Sequence, residues 1–250
     1  MITIKSKYEI ELMKAAGKVT YEVLKLLEES AKPGVSTIEL DRAAEKYIRS
    51  QGCVPSFKGY GGFPGSVCIS INDEVIHGIP GKRILKEGDV VSFDVGACYK
   101  GYHSDAARTV GIGEISQEAQ RLIDVTRESF FEGIKFARDG YRISDISGAI
   151  QKYAEDNGFS VLREYCGHGL GRELHEEPEI PNYVAQGRRG VRIRPGMTLA
   201  IEPMVNQGTR DIYVADDDWT VLTMDGKLAA HYENSVLVTN DEPFLLTLWD

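Results

Sequence analysis

The spacing of apolar and polar positions predicts that the chain begins with two amphipathic helices. Ser6 with Glu9, and Ser36 with Glu39, each match the capping box that begins a helix. The tripeptide Lys32-Pro33-Gly34 separates the two segments, because proline and glycine interrupt helices.

A second helix pair follows, and it is related to the first by a constant offset. It is predicted over about 116–138 and 144–157, with a break at Asp139-Gly140. Chance matches arise between any two amphipathic helices, but a constant offset bracketed by glycines predicts a duplicated α+β unit. We expect one domain over residues 1–250, with halves of about 1–112 and 113–250. Setting residue n beside n+106 aligns Gly34 with Gly140, Leu40 with Ile146, Lys46 with Lys152, Tyr47 with Tyr153 and Gly52 with Gly158.

The run "VVSFDVGACYKGYHSDAARTV" predicts a β-hairpin that turns at Lys100-Gly101. With those residues as the loop, position i pairs with 201 − i, so Asp94 faces Ala107. Asp105 lies two residues from Ala107, and side chains alternate along a strand. Asp94 and Asp105 are therefore expected on one face as diagonal neighbours, within reach of a common ion.

The strand-rich part of the second half repeats this pattern. "KEGDVVSFDVG" aligns with "RPGMTLAIEPM", which sets Asp94 over Glu202. The pattern Cys-x8-His-x-x-Pro also occurs twice and pairs His77 with His175. A duplicated unit would bring these residues into pseudo-symmetric positions around a central cleft.

Asp94, Asp105, Glu202 and Glu233 all lie in or beside apolar, strand-like runs. Any one of them could be a strand-edge acid or half of a buried ion pair. Four converging carboxylates without cations would repel one another and lose hydration, which favours protonation or unfolding. Two divalent ions would balance the four negative charges.

The chain has five histidines, and a lone histidine is more often a satisfied polar residue than a ligand. We place His103 and His231 in that category. His168 and His175 lie in "CGHGLGRELHEEP", which lacks the second half of a dinucleotide fingerprint and the Lys-Ser/Thr of a phosphate loop. We expect its glycines to let the backbone approach an ion or a substrate closely.

Composition narrows the class of protein. With 42% hydrophobic and 27% charged residues, the sequence is typical of a soluble globular protein, and its net charge of −9 argues against nucleic-acid binding. The N-terminus lacks the apolar stretch of a signal peptide, and no segment reaches the ~20 apolar residues of a membrane span. The four cysteines are widely spaced, which predicts free thiols and a cytoplasmic location.

Five motifs together resemble the type I methionine aminopeptidases, and the resemblance covers nearly the whole chain. It implies the α+β pita-bread fold, in which two pseudo-symmetric α+β halves share a central antiparallel sheet and a cleft for two metal ions. The motifs are "SVCISINDEVIHGIP", "DVVSFDVGACYKGYHSDAARTV", "YCGHGLGRELHEEP", "GMTLAIEPM" and "WTVLTMDGKLAAHYENSVLVT".

The resemblance also implies a ligand set for two divalent ions. Asp105 and Glu233 would bridge the ions, Asp94 would complete one site, and His168 with Glu202 would complete the other. A carboxylate-rich set with a single histidine suits Co, Mn, Fe or Zn, and the sequence leaves the metal open.

The implied reaction is hydrolytic removal of the N-terminal methionine from peptides and nascent proteins with a small second residue, by a hydroxide that bridges the ions. The catalytic residues would be Glu202 as the proton shuttle, His175 as stabiliser of the oxyanion and His77 as a hold on the peptide backbone. The resemblance nominates Tyr60, Phe63, Cys68 and Trp219 as the wall of the methionine pocket; ordinary core packing is the alternative.

The sequence departs from the family pattern at some positions, and other functions are compatible with it. Phe57 stands where a small residue or cysteine is frequent, Leu174 where an aromatic residue is frequent, and "HYEN" surrounds the bridging Glu233. The alternatives are an X-Pro aminopeptidase or dipeptidase of the same fold, and a binding module without catalysis. We expect a monomer that acts on methionyl peptides and makes transient contact with the ribosome. We expect it neither to bind nucleic acid directly nor to associate with a membrane.

Overall fold

The computed structural model describes residues 2–185, 187 and 189–249. The α-helices are α1 (Lys7–Ser30), α2 (Thr37–Ser50), α3 (Gln117–Ile134) and α4 (Ile143–Asp156). The strands are β1 (Val54–Pro55), β2 (Val67–Ile71), β3 (Glu74–Ile76), β4 (Val90–Tyr99), β5 (Tyr102–Gly111), β6 (Ser160–Val161), β7 (Cys166–Gly169), β8 (Glu176–Pro181), β9 (Thr198–Ile201), β10 (Met204–Asn206), β11 (Ile212–Val214), β12 (Val221–Thr223), β13 (Ala229–His231), β14 (Asn234–Leu237) and β15 (Phe244–Leu245).

Both predicted starts of the first helix pair are confirmed. The Glu9 carboxylate accepts a hydrogen bond from the Ser6 amide at 2.8 Å, and Ser6 Oγ accepts one from the Glu9 amide at 3.4 Å. The Glu39 carboxylate accepts from the Ser36 amide at 2.9 Å in the same way. Each carboxylate thus satisfies an amide that has no partner within the helix, and α1 and α2 begin directly after these serines.

Helix α3 ends at Ile134, which is earlier than the predicted end at residue 138. The amides of Phe136 and Ala137 donate to the carbonyls of Gly133 and Ile134, at 3.1 and 2.9 Å. These bonds span three residues rather than four, so the chain tightens and leaves the α-helical path.

The predicted hairpin is confirmed residue for residue. Strands β4 and β5 pair with Asp94 opposite Ala107 and Gly96 opposite Asp105. Lys100 and Gly101 have φ angles of 49° and 80°, as the two central residues of a type I′ turn require. The turn fixes the register, and the register sets Asp94 and Asp105 on the same face.

The described ladders are all antiparallel and form four sheets. In the first large sheet, β4 pairs with β5 along one edge and with β1 and β2 along the other. The second large sheet has the order β15-β14-β9-β7-β8. Two smaller sheets have the orders β13-β10-β6 and β11-β12-β3.

A seam of hydrogen bonds joins the two large sheets. The amide of Glu233 donates to the carbonyl of Ala107 at 3.0 Å, and the amide of Ala107 returns a bond at 3.3 Å. Ser235 Oγ accepts from the Asp105 amide at 2.9 Å and donates to the Asp105 carbonyl at 2.8 Å. Asp105 and Glu233, far apart in sequence, therefore lie side by side.

The buried apolar side chains form two principal clusters. One draws its fully buried members from Val19 to Ile112, where α1 and α2 pack on the first large sheet. The other draws them from Leu122 to Val238, where α3 and α4 pack on the later strands. Each predicted half thus has a cluster of its own, while the internal repeat itself stays a prediction.

Two features bear on the expected cellular environment. Cys53, Cys68, Cys98 and Cys166 are all free thiols. Within the described residues, no helix combines the length and the apolar character that crossing a bilayer requires.

Candidate metal centre and substrate cavity

A cavity of about 220 Å³ opens beside the seam between the large sheets. It has an acidic floor and a partly aromatic wall. Every site residue singled out from the sequence lines it: Tyr60, Phe63, Cys68, His77, Asp94, Asp105, His168, His175, Glu202, Trp219 and Glu233. The fold therefore brings the candidates together in one place.

The hairpin supplies the first two carboxylates. Asp94 lies in the middle of β4, between Ala107 on β5 and Cys68 on β2. Asp105 lies on β5 and is only 4% exposed. Because β4 is paired along both edges, its backbone holds Asp94 firmly at the floor of the cavity.

His168 points one ring nitrogen into the cavity from β7. Its Nδ1 lies 2.8 Å from the Gly169 carbonyl, which can only accept, so Nδ1 carries the proton. Burial, helped by the nearby His175, lowers the pKa of His168 to about 3. The ring is therefore neutral near pH 7, with a free lone pair on Nε2, 3.6 Å from Glu202 Oε1 and 3.9 Å from Asp105 Oδ2.

The remaining two carboxylates come from the second half. Glu202 directly follows β9, and Glu233 lies between β13 and β14. Glu233 is 2% exposed and is held by its backbone pairing with Ala107. The four carboxylates therefore reach the floor from both large sheets.

The protein alone does not stabilise these carboxylates in their charged form. Burial raises the pKa of Asp94 to about 7 and that of Glu202 to about 8. Burial and the neighbouring carboxylates raise the pKa values of Asp105 and Glu233 well above the usual range. Among the described residues, no lysine or arginine lines the cavity to offset this charge.

The donor set fits divalent metal ions. One ligand atom each from Asp105, His168 and Glu233 lies within 4.8 Å of the others. Asp94 Oδ1, Asp105 Oδ1 and Glu233 Oε1 are buried without a hydrogen-bond partner. Buried oxygens of this kind are costly unless a cation or a proton satisfies them. Carboxylate oxygens with one neutral imidazole suit first-row divalent ions.

His77 and His175 both line the cavity. His77 has a φ of 61°, an uncommon conformation for a non-glycine residue, and burial lowers its pKa to about 4. His175 Nδ1 lies 2.7 Å from the Tyr60 hydroxyl, and its ring centre is 4.2 Å from that of His168. Burial lowers the pKa of His175 as well, so both rings are neutral near pH 7.

The wall beside the acidic floor is apolar. Phe63 and Trp219 meet edge to face with ring centres 5.2 Å apart, and Cys68 is buried beside them. Phe57 and Leu174 complete the same cluster and also line the cavity. The sequence marked these two only as departures from the family pattern, so their contact with the cavity is a finding of the structure.

His231 is a neighbour of the site that the sequence analysis missed. It ends β13 and is 2% exposed, and its Nε2 lies 3.6 Å from Glu202 Oε2. Its position two residues before Glu233 on an extended run was the available signal, because alternating residues share one face of a strand. The structure sets it against the acidic floor.

The glycines of "CGHGLG" allow protein strands to approach one another. A Cβ on Gly167 would lie 2.3 Å from the Ala200 carbonyl oxygen, and one on Gly169 would lie 2.2 Å from the Glu177 carbonyl oxygen. The sequence predicts an ion or a substrate close to these glycines, whereas the nearest atoms belong to the backbone of neighbouring strands. The glycines thus place His168 by allowing tight packing around β7.

The sequence of this chain matches a known family of proteins. The model of metallopeptidase family M24 matches residues 11–240. The chain belongs to this family of metal-dependent peptidases.

Relatives that match over the whole length carry a more specific name. The chain is 55% identical over 248 residues to a methionine aminopeptidase of Clostridium perfringens, covering 99% of both chains. It also matches a crystal structure of the methionine aminopeptidase of Thermotoga maritima at 44% identity, with a TM-score of 0.97 and full coverage of both chains.

A more distant structure shares the fold. The prolidase of Pyrococcus furiosus superposes on 99% of this chain with a TM-score of 0.79, at 21% identity and over 66% of its own length. The expected pita-bread architecture, of mixed helices and antiparallel sheets around a cleft, is therefore confirmed.

Proposed function

We propose that this protein is a methionine aminopeptidase that hydrolyses the first peptide bond of methionyl peptides and nascent chains with a small second residue. The observation that carries the proposal is the junction of an acidic floor with an apolar wall in one cavity of about 220 Å³. Relatives named methionine aminopeptidase cover the whole chain, which supports the same reaction here.

In this proposal Asp94, Asp105, His168, Glu202 and Glu233 hold two divalent ions. Asp105 and Glu233, which lie side by side at the seam, would both belong to this ligand set. Bound ions of this kind make water nucleophilic at neutral pH and polarise the carbonyl of the scissile bond. Co, Mn, Fe and Zn all suit the donor set.

Glu202 is suited to move a proton. Burial raises the pKa of its carboxyl group to about 8, so a carboxylate oxygen can hold a proton near neutral pH. The acceptor of that proton is the amine of the leaving peptide. Bound cations would lower this pKa, so the carboxylate would be ionised at rest and free to take up a proton before passing it to the leaving amine.

His175 is suited to stabilise the oxyanion. If the Tyr60 hydroxyl donates to Nδ1, the proton of the neutral ring lies on Nε2, which is free to donate to the developing charge. His77, whose ring is also neutral, lines the same cavity and orients the peptide backbone.

The apolar wall is suited to the methionine side chain. An unbranched thioether fills an irregular pocket well, and its sulfur packs favourably against aromatic edges. Tyr60, Phe63, Cys68 and Trp219 form this wall, with Phe57 and Leu174 added by the structure. An apolar wall of this kind would also disfavour charged first residues, which would lose their hydration there.

The experiment compares two substrates. Metal-reconstituted protein is incubated with Met-Ala-Ser and Ala-Pro peptides in parallel, beside the Glu202→Ala variant. We expect free methionine from wild type and at least a hundredfold less from the variant. Release of free proline, or equal turnover of the methionyl peptide by wild type and variant, would contradict the proposal.

A further inference from the structure

The Glu202 carboxylate lies between two imidazoles. His168 Nε2 is 3.6 Å from Oε1, and His231 Nε2 is 3.6 Å from Oε2. The proposed ligand set uses only the first of these rings. The role of the second ring is therefore open.

His231 is buried in a way that calls for a partner. The residue is 2% exposed, and its Nε2 is buried without a hydrogen bond. An unsatisfied buried polar atom is costly, so a hydrogen-bond partner for this nitrogen is expected. The nearest carboxylate oxygen that faces this nitrogen is Glu202 Oε2.

Hydrogen bonds with the Thr109 side chain fix the backbone of His231. Thr109 Oγ1 accepts from the His231 amide at 2.9 Å and donates to the His231 carbonyl at 2.8 Å. Thr109 Oγ1 is itself 2.7 Å from Ser92 Oγ on the adjacent strand β4. This side-chain clamp ties His231 to the hairpin that carries Asp94 and Asp105, and so to the rest of the floor.

We propose that His231 is a positioning residue that holds Glu202 for metal binding, by donating from Nε2 to Glu202 Oε2. A shift of about 0.6 Å brings the two atoms to hydrogen-bond distance. Oε1 then remains directed toward the side of the cavity where His168 Nε2 lies. Hydrogen bonds to a ligating carboxylate fix its orientation, and their loss typically weakens metal binding about 10–100-fold.

This inference rests on the proposed function, and the test separates the two. The metal-free protein is titrated with Co²⁺ by calorimetry, and the visible absorption of the bound ion is recorded. Uptake by wild type tests the metal site. The variants His231→Leu and His231→Gln test the role of His231, since the glutamine amide can still donate to Glu202 and leucine cannot.

We expect His231→Leu to weaken Co²⁺ binding at least tenfold and to change the absorption bands, while His231→Gln stays within about threefold of wild type. The matched control is His103→Leu. His103 hydrogen-bonds Ser56 Oγ at 2.9 Å and does not line the cavity, so this variant binds Co²⁺ as wild type does.

Thr109→Val provides a second test if His231→Leu fails to fold, as judged by circular dichroism. It removes the clamp at nearly constant volume, and we expect it to weaken Co²⁺ binding in the same direction. Wild-type affinity in His231→Leu or Thr109→Val, or equal weakening by leucine and glutamine, would overturn the positioning role while the proposed function stands. Absence of Co²⁺ uptake by wild type would overturn both.

Discussion

At the scale of single residues, the site depends on where each proton lies. The Gly169 carbonyl keeps a proton on His168 Nδ1 and frees Nε2, and the Tyr60 hydroxyl can do the reverse for His175. The partner of His168 is the next residue in the chain, whereas the partner of His175 lies far from it in the sequence. The sequence could therefore nominate the two histidines but not their tautomers.

His231 illustrates what one sequence does not reveal at this scale. A single histidine in an apolar run is usually a satisfied polar residue, and the one local signal here, its place two residues before Glu233, does not point to Glu202. Its neighbour Glu202 is brought to it by the pairing of Met204 with His231 in a separate sheet. The pairing of distant strands is a property of the fold, so the contact could not be predicted from local pattern.

The variant Tyr60→Phe tests the partner of His175. It removes the hydroxyl that lies 2.7 Å from Nδ1 and leaves the ring in place. We expect kcat/KM for Met-Ala-Ser to fall about five- to tenfold, since a net hydrogen bond is worth about 1 kcal/mol. Steady-state kinetics check this, with Tyr213→Phe, which changes an exposed tyrosine on β11, as the control. Full activity in Tyr60→Phe would show that the hydroxyl does not orient His175.

The variant Glu9→Gln tests how much the first capping box contributes to the stability of the fold at different pH values. Hydrogen bonds from Tyr102 and Ser6 lower the pKa of Glu9 to about 2, below its ordinary value of 4.5. The ionised group therefore stabilises the fold above about pH 4.5, and this contribution is lost as pH falls toward 2. Thermal unfolding should show a deficit in Glu9→Gln at pH 7 that shrinks at pH 3. Glu11→Gln, an exposed change on the same helix, should show no such trend.

At the scale of elements, turn chemistry was predictable and helix ends were less so. The two-residue turn at Lys100-Gly101 fixes one register, so the pairing of Asp94 with Ala107 followed from the sequence. The end of α3 did not follow, because a change from four-residue to three-residue hydrogen bonds after Gly133 leaves little trace in the apolar pattern. The seam that pairs Glu233 with Ala107 has no local signal at all.

The variant Gly167→Ala tests the close approach of β7 and β9. The added Cβ would lie 2.3 Å from the Ala200 carbonyl oxygen, so the strands must move apart and carry His168 with them. We expect a loss of about 1–3 kcal/mol in the free energy of unfolding, and weaker metal binding. Denaturant unfolding and Co²⁺ titration measure both effects.

The control for that variant is Gly148→Ala in α4, where the new Cβ would lie 3.3 Å from a flexible methyl group of Val184. Alanine is the better helix former, so unfolding free energy should change by less than about 1 kcal/mol. Equal stability of the two variants would mean that strand spacing at Gly167 is not critical.

At the scale of the whole molecule, two apolar clusters support a seam that concentrates negative charge. The net charge of −9 and the acidic floor both disfavour the compact metal-free state, and bound cations would compensate the charge of the floor. Because four carboxylates lie in or beside apolar runs, the sequence predicted that buried negative charges would repel one another without cations. It could not predict that the raised pKa values of Asp94 and Glu202 would fall close to neutrality.

Those values predict how the stability of the metal-free protein depends on pH. The folded-state pKa values of Asp94 and Glu202, about 7 and 8, lie above the ordinary values of 3.8 and 4.5. Between pH 6.5 and 8.5 the folded state therefore holds more protons than the unfolded state, and its stability falls as pH rises. His77 and His168, with folded pKa values of about 4 and 3 against an ordinary 6.5, oppose the trend only at the lower end of this window, where the unfolded chain protonates them. Thermal unfolding of chelator-treated protein should thus show a lower midpoint at pH 8.5 than at pH 6.5.

The double variant Asp94→Asn with Glu202→Gln should flatten this dependence of the midpoint on pH. Metal-loaded wild type should lose it, because the bound cations keep the carboxylates ionised. A chelated wild type that is as stable at pH 8.5 as at pH 6.5 would mean that the buried floor is ionised without metal.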